Sequence, residues 1–274
     1  TREIGISLSC PVAVELIMKR KEPIRFTVSE NEEKVSEYND IDAALYYSLC
    51  QARELAYTIC QDRTMKIRHR AVLLLDFAKK LQKKLKKNKL NKILDAYKDV
   101  QYRNERIEKL EKKYASYKKT MVVLRKWLDI YDRLEHIKPE WQGILSELSG
   151  YVDRKMPDVK TGAVIVNERD YEYEHLMMYY VYRYFLRAVF DENVLEKIKL
   201  SCTALIMQEL LGAAYCYRDG CFDFEKQITL MRIYSKETEH SEENLDELYR
   251  NFKKNKAFST KNCMGIILGS GLFD

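Results

Sequence analysis

The chain has 274 residues, 46% of them hydrophobic, which is enough to bury one large core or two small ones. Its 48 basic and 42 acidic residues leave a net charge of only +6, so nothing in the charge argues for nucleic acid binding. With 9 glycines and 4 prolines, turn signals are few and long helices are favoured over many short strands. The seven scattered cysteines are typical of reduced thiols in a cytosolic protein.

The first residues are unusual for the start of a protein. Thr1 is not a start methionine, which predicts a processed chain or a fragment. The run Ser9-Cys10-Pro11 predicts the start of a helix, because proline is favoured at the first helical position. Residues 22–39 have no helical period and predict a loop, with a short extended piece at 24–28.

Helical patterns resume at Asp42. Apolar residues recur there at helical spacing and predict amphipathic helices as far as about Ile137. Within this part, residues 93–137 fit either one long helix or two helices that meet near Asn104. Lysines crowd the stretch Lys79–Lys92, which is typical of a solvated helix end. The functional alternative is an electrostatic landing site for an acidic partner.

The next stretch contains the best candidate for a boundary. Pro139 and Gly143 predict a break in the helices, followed by a short helix near residues 141–148. Residues 149–166 form the longest irregular stretch, in which 161–166 could form a strand.

The core is predicted to form around a helical hairpin at residues 171–217. Its first half, YEYEHLMMYYVYRYFLRAVF (171–190), repeats apolar residues in an i, i+1, i+4, i+5 pattern. Its second half, 194–217, is apolar on nearly all sides, which is typical of a buried helix. We therefore predict an all-α, multi-helix bundle with a buried central helical hairpin and few or no strands. The irregular stretch divides it into an N-terminal helical region, 1–150, and a C-terminal helical region, 151–274, that contains the hairpin.

The end of the chain repeats the helical signals. Gln208 and Glu209 interrupt the longest apolar run, so the sequence predicts no transmembrane span. Asp223 is predicted to cap a helix that ends near His240, and Ser241 to cap the next one. The apolar, glycine-rich tail either docks on the core or frays.

Chemical motifs are absent from the sequence. It contains no glycine-rich nucleotide loop, no zinc-protease motif and no nucleophile elbow. The histidines are dispersed, and each is more typical of a structural residue than of a metal ligand. The most suggestive constellation is the pair Glu174-His175 with the pair Glu239-His240, because a carboxylate beside an imidazole can act as a general base. Helix-end residues that cap or pair are the simpler interpretation.

The chain also contains 20 tyrosines, many of them on the inner face of the helix at 171–187. An aromatic stripe at helical spacing is typical of a core. The alternative is a cavity in which tyrosine hydroxyls and carboxylates surround an ammonium group.

Three stretches resemble the flagellin lysine-N-methylase family. ISLSCPVAVELIM (6–18) resembles that family's ISLSCPEAARL-type segment. ELAYTICQDRTMKIRHRAVLLLDFAKKLQ (54–82) resembles its helical pair. FDFEKQITLMRIYSKETEHSEENLDEL (222–248) is similar to its C-terminal run ending in an EHS-x-EN segment.

The resemblance implies a cytoplasmic bacterial enzyme that transfers a methyl group from S-adenosylmethionine to lysine side chains of flagellin. It also implies a cysteine-rich N-terminal segment associated with an iron–sulfur cluster. The closely spaced cysteines are absent from this chain, and only Cys10 corresponds to a cluster ligand. Because Cys10 alone cannot complete a four-cysteine cluster, we expect a fragment of the full enzyme.

Methyl transfer requires the lysine ammonium to lose a proton, which glutamate, histidine or tyrosine can accept. We expect the catalytic residues among a set chosen by side-chain chemistry: Glu174, His175, Tyr234, Glu239 and His240. No residue is indicated for binding S-adenosylmethionine. The rival interpretation is a non-enzymatic, all-helical protein-interaction module whose lysine-rich face docks a partner. Neither interpretation involves nucleic acid or a membrane. A tyrosine-lined cavity would favour the enzyme, and a close-packed core with an exposed apolar groove would favour the module.

Overall fold

The computed structural model describes residues 6–26, 42–85, 90–154 and 169–272. These residues form α-helices and short 3-10 turns, and none of them forms a strand. The predicted all-α bundle is therefore confirmed. The possible strand at 161–166 lies outside the described residues.

The helices are numbered in chain order. Before the central hairpin they are α1 (Pro11–Lys19), α2 (Ala43–Cys60), α3 (Ile67–Leu85), α4 (Asn91–Lys98), α5 (Val100–Tyr114), α6 (Thr120–Tyr131) and α7 (Pro139–Asp153). From the hairpin onward they are α8 (Asp170–Tyr184), α9 (Ala188–Asp191), α10 (Val194–Asp219), α11 (Phe224–Glu239), α12 (Glu242–Lys254) and α13 (Thr260–Gly269).

The central hairpin consists of α8 and α10, which pack against each other. Helix α10 is buried on nearly every side from Val194 to Ala214, as its apolar sequence predicts. It is surrounded by α3, α7, α11, α12 and α13 in addition to α8. The first half of the hairpin is shorter than predicted, because α8 tightens into a 3-10 turn at Phe185–Arg187 before α9.

Several predicted helix starts are confirmed by their caps. The side chains of Asp42, Asn193, Asp223 and Ser241 each accept a hydrogen bond from a backbone N–H in the first turn of the following helix. Short polar side chains stabilise these positions because the first N–H groups of a helix have no partner inside it. Pro11 opens α1, as predicted.

The stretch from residue 93 to residue 153 differs from the prediction. The break expected near Asn104 falls at Asp99, whose carboxylate accepts from the backbone N–H of Gln101 at 2.8 Å and thereby starts α5. A second break, at residues 115–119, divides the rest of the predicted helix into α5 and α6.

The predicted break is found at residues 132–138, between α6 and α7, and Pro139 occupies the first turn of α7, where a missing N–H costs nothing. Gly143 lies inside this helix, which is longer than the predicted 141–148.

The two predicted regions share a continuous set of buried apolar side chains. Helix α3 from the first region lies directly against α10 from the second. The division at residue 150 remains a prediction. Among the described residues, no helix is long and apolar enough to cross a membrane.

The C-terminal tail docks on the core through α13. This helix packs against α3, α5 and α6. Its close approach depends on glycine, since a Cβ atom at Gly265 would lie 2.4 Å from the ring of Tyr117 and one at Gly269 would lie 2.6 Å from the carbonyl oxygen of Tyr114.

We expect Gly265→Ala to lower the free energy of unfolding by about 1–3 kcal/mol, because the added methyl group collides with the base of a packed ring. Gly143→Ala is the matched control: it is also a helical glycine, but a Cβ atom there would have nothing within 4 Å. That variant should gain stability, by up to about 1 kcal/mol, from helix propensity alone. Urea unfolding of both variants measures the difference, and equal effects would contradict the packing of α13.

Candidate functional site

Glu174 lies in the middle of α8, and its side chain is fully buried. Its carboxylate accepts hydrogen bonds from Arg63, with Nε–Oε2 and Nη2–Oε1 distances both 2.9 Å. Arg70 Nη1 donates to Oε2 at 2.7 Å. Asp170, one turn earlier, is 3.5 Å from Arg70. Two guanidinium groups thus balance this buried charge and join α3 and the loop before it to α8.

His175 is buried beside this ion network. Its Nδ1 donates to the carbonyl oxygen of Ile17, in the last turn of α1, at 2.8 Å. Burial lowers the pKa of the imidazole, so the ring is neutral near pH 7. The hydrogen bond to Ile17 therefore anchors the C-terminal end of α1.

Glu239 ends α11, and its side chain is fully buried under α8. Three tyrosine hydroxyls donate to its carboxylate: Tyr179 at 2.8 Å, Tyr180 at 3.0 Å and Tyr184 at 2.7 Å. The guanidinium of Arg183 lies 3.4 Å away. The tyrosine stripe of α8 therefore surrounds a carboxylate and an arginine. The positive charge beside the Glu239 carboxylate is that of Arg183, a residue of the chain itself.

The segment before α1 docks on this tyrosine–glutamate cluster. The backbone N–H of Leu8 donates to the hydroxyl of Tyr179 at 3.4 Å. The hydroxyl groups of Ser7 and Ser9 both contact Nε2 of His240, the former at 3.4 Å. His240 is largely exposed. Partial desolvation of its ring, together with the nearby charge of Lys236, lowers its pKa.

Tyr234 is fully buried, and its hydroxyl hydrogen-bonds that of Tyr131 at 2.7 Å. The structure does not join the two carboxylate–imidazole pairs to each other. It attaches them to opposite ends of α1, His175 at Ile17 and His240 at Ser9. Their catalytic role remains a prediction.

An open groove follows the length of α7. It consists of three adjoining cavities of about 200, 610 and 440 Å³. The first shares Glu140 and Ile233 with the second, and the second shares Gly143 and Glu147 with the third. Ser9, the contact of His240, lines the first cavity. We call these the entrance cavity, the central cavity and the α7–α10 slot, and together the α7 groove.

The central cavity is acidic although the chain as a whole is basic. It is lined by the carboxylates of Glu140, Glu147, Asp223 and Glu225 against the single ammonium of Lys226. Its apolar surface comes from a separate set, Ile144, Tyr215, Leu230 and Ile233. Such a cavity suits an apolar stem that ends in a positive charge.

Glu147 stands where the central cavity meets the slot. Arg218 Nη1 donates to its Oε2 at 2.7 Å. Its other oxygen, Oε1, is buried and has no hydrogen-bond partner among the residues that the structure describes. A buried acceptor of this kind is expected to have a partner, such as an ordered water molecule. The sequence hinted at this surface only through Glu140 and Glu147, which are seven residues apart and therefore share one helix face.

A second buried carboxyl lies in α10. Glu209 is 2% exposed, and its Oε1 has no hydrogen-bond partner. No basic side chain pairs with it in the described part of the chain. Burial raises its pKa well above the ordinary value, with a further contribution from the charge of Asp170.

The metal chemistry implied by the resemblance finds little support in the described residues. Nowhere in 6–26, 42–85, 90–154 or 169–272 do three or more His, Cys, Asp or Glu side chains gather as metal ligands would. Cys10 caps α1 and is exposed. Cys60 is buried, which raises its pKa to about 12. These residues do not fit a four-cysteine cluster, so no chemical step is derived through one.

The fold and the groove define an all-helical domain with an acidic, partly apolar cavity. A family model described as the FliB lysine N-methylase C-terminal domain matches residues 53–266, from α2 to α13. The chain therefore belongs to the FliB lysine N-methylase C-terminal domain family. The segment 6–18 lies outside the matched residues. No curated protein and no solved structure matches the chain.

We expect Arg70→Met to lower the free energy of unfolding by about 3 kcal/mol or more, because it removes one cation from the buried Glu174 carboxylate. Arg125→Met is the control, since Arg125 forms an equally short pair with Asp153 on the surface. Its effect should stay within about 1 kcal/mol. Guanidinium unfolding measures both variants. Similar losses of unfolding free energy in the two variants would contradict a larger contribution from the buried ion network.

We expect Glu209→Gln to stabilise the protein at neutral pH and to have little effect near pH 4. A carboxyl group whose pKa is raised on folding opposes folding once the pH exceeds its unfolded value of 4.5, because only the unfolded state then releases the proton. Each unit by which the pKa is raised corresponds to about 1.4 kcal/mol. Thermal unfolding between about pH 4 and pH 8 tests this. A pH-independent effect would contradict it.

Proposed function

We propose that the chain forms part of an enzyme that transfers a methyl group from S-adenosylmethionine to lysine side chains of flagellin or a similar protein, and that the acceptor lysine enters the α7 groove. The observation that carries this proposal is the central cavity. In a member of a lysine N-methylase family, a basic chain presents an acidic cavity with an apolar surface. Its volume of about 610 Å³ is ample for a lysine side chain.

Different residues of the central cavity hold the two parts of the lysine side chain. Ile144 and Leu230 contact the aliphatic stem, and the carboxylates attract the ammonium group. Glu147, which lines the cavity at its junction with the slot, attracts the ammonium nitrogen through its carboxylate charge. S-adenosylmethionine supplies an electrophilic methyl group on a sulfonium sulfur. The neutral lysine nitrogen forms the new N–C bond as the C–S bond breaks, and S-adenosylhomocysteine leaves.

Proton removal involves the open end of the groove. Among the predicted catalytic residues, His240 alone is exposed, and Ser9 connects it to the entrance cavity. Its lowered pKa keeps the imidazole neutral near pH 7, so that it can accept the proton that leaves the groove. The buried residues Glu174, His175 and Glu239 then act by holding α1 and α8 in place, and Tyr234 joins α11 to α6 through Tyr131.

The iron–sulfur cluster and the cytoplasmic location of a bacterial enzyme remain further parts of this proposal. Cys10, exposed at the start of α1, would supply one cluster ligand. The rival function is a protein-interaction module that docks a partner in the same open groove without chemistry. The contacts of Glu239 favour that rival, since three tyrosine hydroxyls and Arg183 already surround its carboxylate.

The deciding experiment is transfer of radiolabelled methyl from S-adenosylmethionine to flagellin, by this chain and by a version extended at its N-terminus. We expect transfer by the extended form. Glu147→Gln should lower its rate at least tenfold, because a neutral amide cannot attract the ammonium group. Glu108→Gln, an exposed carboxylate on α5, should leave the rate unchanged. No transfer by either form, with iron bound to the extended one, would leave the interaction module as the better account.

A further inference from the structure

The entrance cavity carries the opposite charge to the central cavity that it adjoins. Three basic side chains line it, those of Lys138, Arg232 and Lys236, against the single carboxylate of Glu140. In the central cavity the balance is reversed, with four carboxylates against one ammonium group. The two cavities share Glu140 and Ile233, so the α7 groove changes from positive to negative along its length.

Helix α11 supplies two of these cations on one face. Arg232 and Lys236 are four residues apart, and Thr229 and Ile233 share their side of the helix. Both basic side chains are half-buried, so salt screens their mutual repulsion less than it would on an exposed surface. Like charges at this spacing destabilise a helix, and a bound anion would relieve that repulsion.

These cations have no ion-pair partner in the part of the chain that the structure describes. Glu237, beside them in α11, is buried, and its carboxylate accepts from the backbone N–H groups of Ile137 and Lys138 at 2.9 and 2.6 Å. Nε of Arg232 is buried and has no hydrogen-bond partner among the described residues. The entrance cavity therefore holds positive charge that an oxygen ligand from outside the chain can pair with.

The size of the entrance cavity limits what this ligand can be. Its volume of about 200 Å³ is below the usual range of sites that enclose a small molecule. A nucleotide is too large for such a space, whereas a single carboxylate side chain or a small oxyanion fits. The continuity with the central cavity favours a side chain, because one protein segment can then place a carboxylate in the first cavity and a cation in the second.

We propose that the entrance cavity binds an acidic side chain of the acceptor protein, close in sequence to the lysine that enters the central cavity. The assignment rests on the proposed function for the position of that lysine. Side chains two residues apart on a strand, or four apart on a helix, lie on the same side of a segment, so one segment can fill both cavities. Arg232 and Lys236 pair with the carboxylate, and the exposed Lys138 adds to the attraction. The groove thereby selects lysines that have an acidic neighbour.

The test is binding of short synthetic peptides to the purified chain, measured by isothermal titration calorimetry. Each peptide contains one lysine and one glutamate, two or four residues to either side of it, in a background of uncharged residues. We expect the best of them to bind about tenfold or more tightly than the same peptide with glutamine in place of glutamate, because charged partners strengthen hydrogen bonds.

Two variants locate the effect. Lys236→Glu should remove the preference for glutamate, because the cavity would then be lined by equal numbers of basic and acidic side chains. Lys126→Glu is the matched control: it changes the net charge by the same amount at an exposed lysine on α6, and it should keep the preference. Arg232→Gln, a milder change, should weaken binding of the glutamate peptide and leave that of the glutamine peptide unaltered. Thermal unfolding checks that each variant is folded.

The outcomes separate this inference from the proposed function. Equal affinity for the two peptides, or no binding of either, would overturn the acidic subsite while leaving the methyl-transfer assay to decide the activity. Loss of the preference in Lys126→Glu would also overturn it, since net charge and not the cavity would then attract the peptide. Inorganic phosphate that binds as tightly as the glutamate peptide would assign the cavity to a free oxyanion instead. A glutamate preference that depends on Arg232 and Lys236 supports the subsite, even if no methyl group is transferred to flagellin.

Discussion

The burial of α10 is the constraint on which the rest of the fold depends. A helix that is apolar on nearly all sides cannot face water on any of them, so six other helices pack around it. Helices from both ends of the chain are needed for this, including α3 and α13. Most of the surrounding helices expose a polar side, although α8 is itself buried from Glu172 to Val181. Charge therefore lies mostly on the outside, and most of the buried charged groups are paired, Glu209 being an exception among the described residues.

Those paired groups lie mainly on α8. Two buried carboxylates are paired at this helix in different ways. Glu174, on α8, accepts hydrogen bonds from two arginines, and Glu239, on α11, accepts them from tyrosine hydroxyls of α8. Both clusters also reach α1, through His175 and through the segment that precedes the helix. Because unpaired buried charges are costly, these contacts fix where α1 docks. They give the Glu-His pairs a structural role, and the catalytic role of these pairs remains a prediction.

The α7 groove is an open surface, and it follows from how α7 meets its neighbours. Small side chains on α7 and α10 keep these helices close but fill little of the space at their edge. Where α7 faces α11, four carboxylates line the opening, and Lys226 is the one basic residue beside them in the central cavity. Mutually repelling charges around a cavity favour a positively charged occupant. The family to which the chain belongs acts on lysine, whose side chain has that chemistry.

The sequence by itself determined the all-helical fold, the buried hairpin, most helix starts and the family, because periodicity, capping residues and family patterns are local properties of the chain. It placed the break near Asn104 instead of at Asp99, since mixed charge at helical spacing does not show which carboxylate caps a helix. Only the tertiary structure decided which side chains share a site. Glu147 gains its significance from Arg218, about seventy residues away, which occupies one oxygen, while the other has no partner among the described residues. Such a site depends on packing between distant segments, which no local pattern encodes.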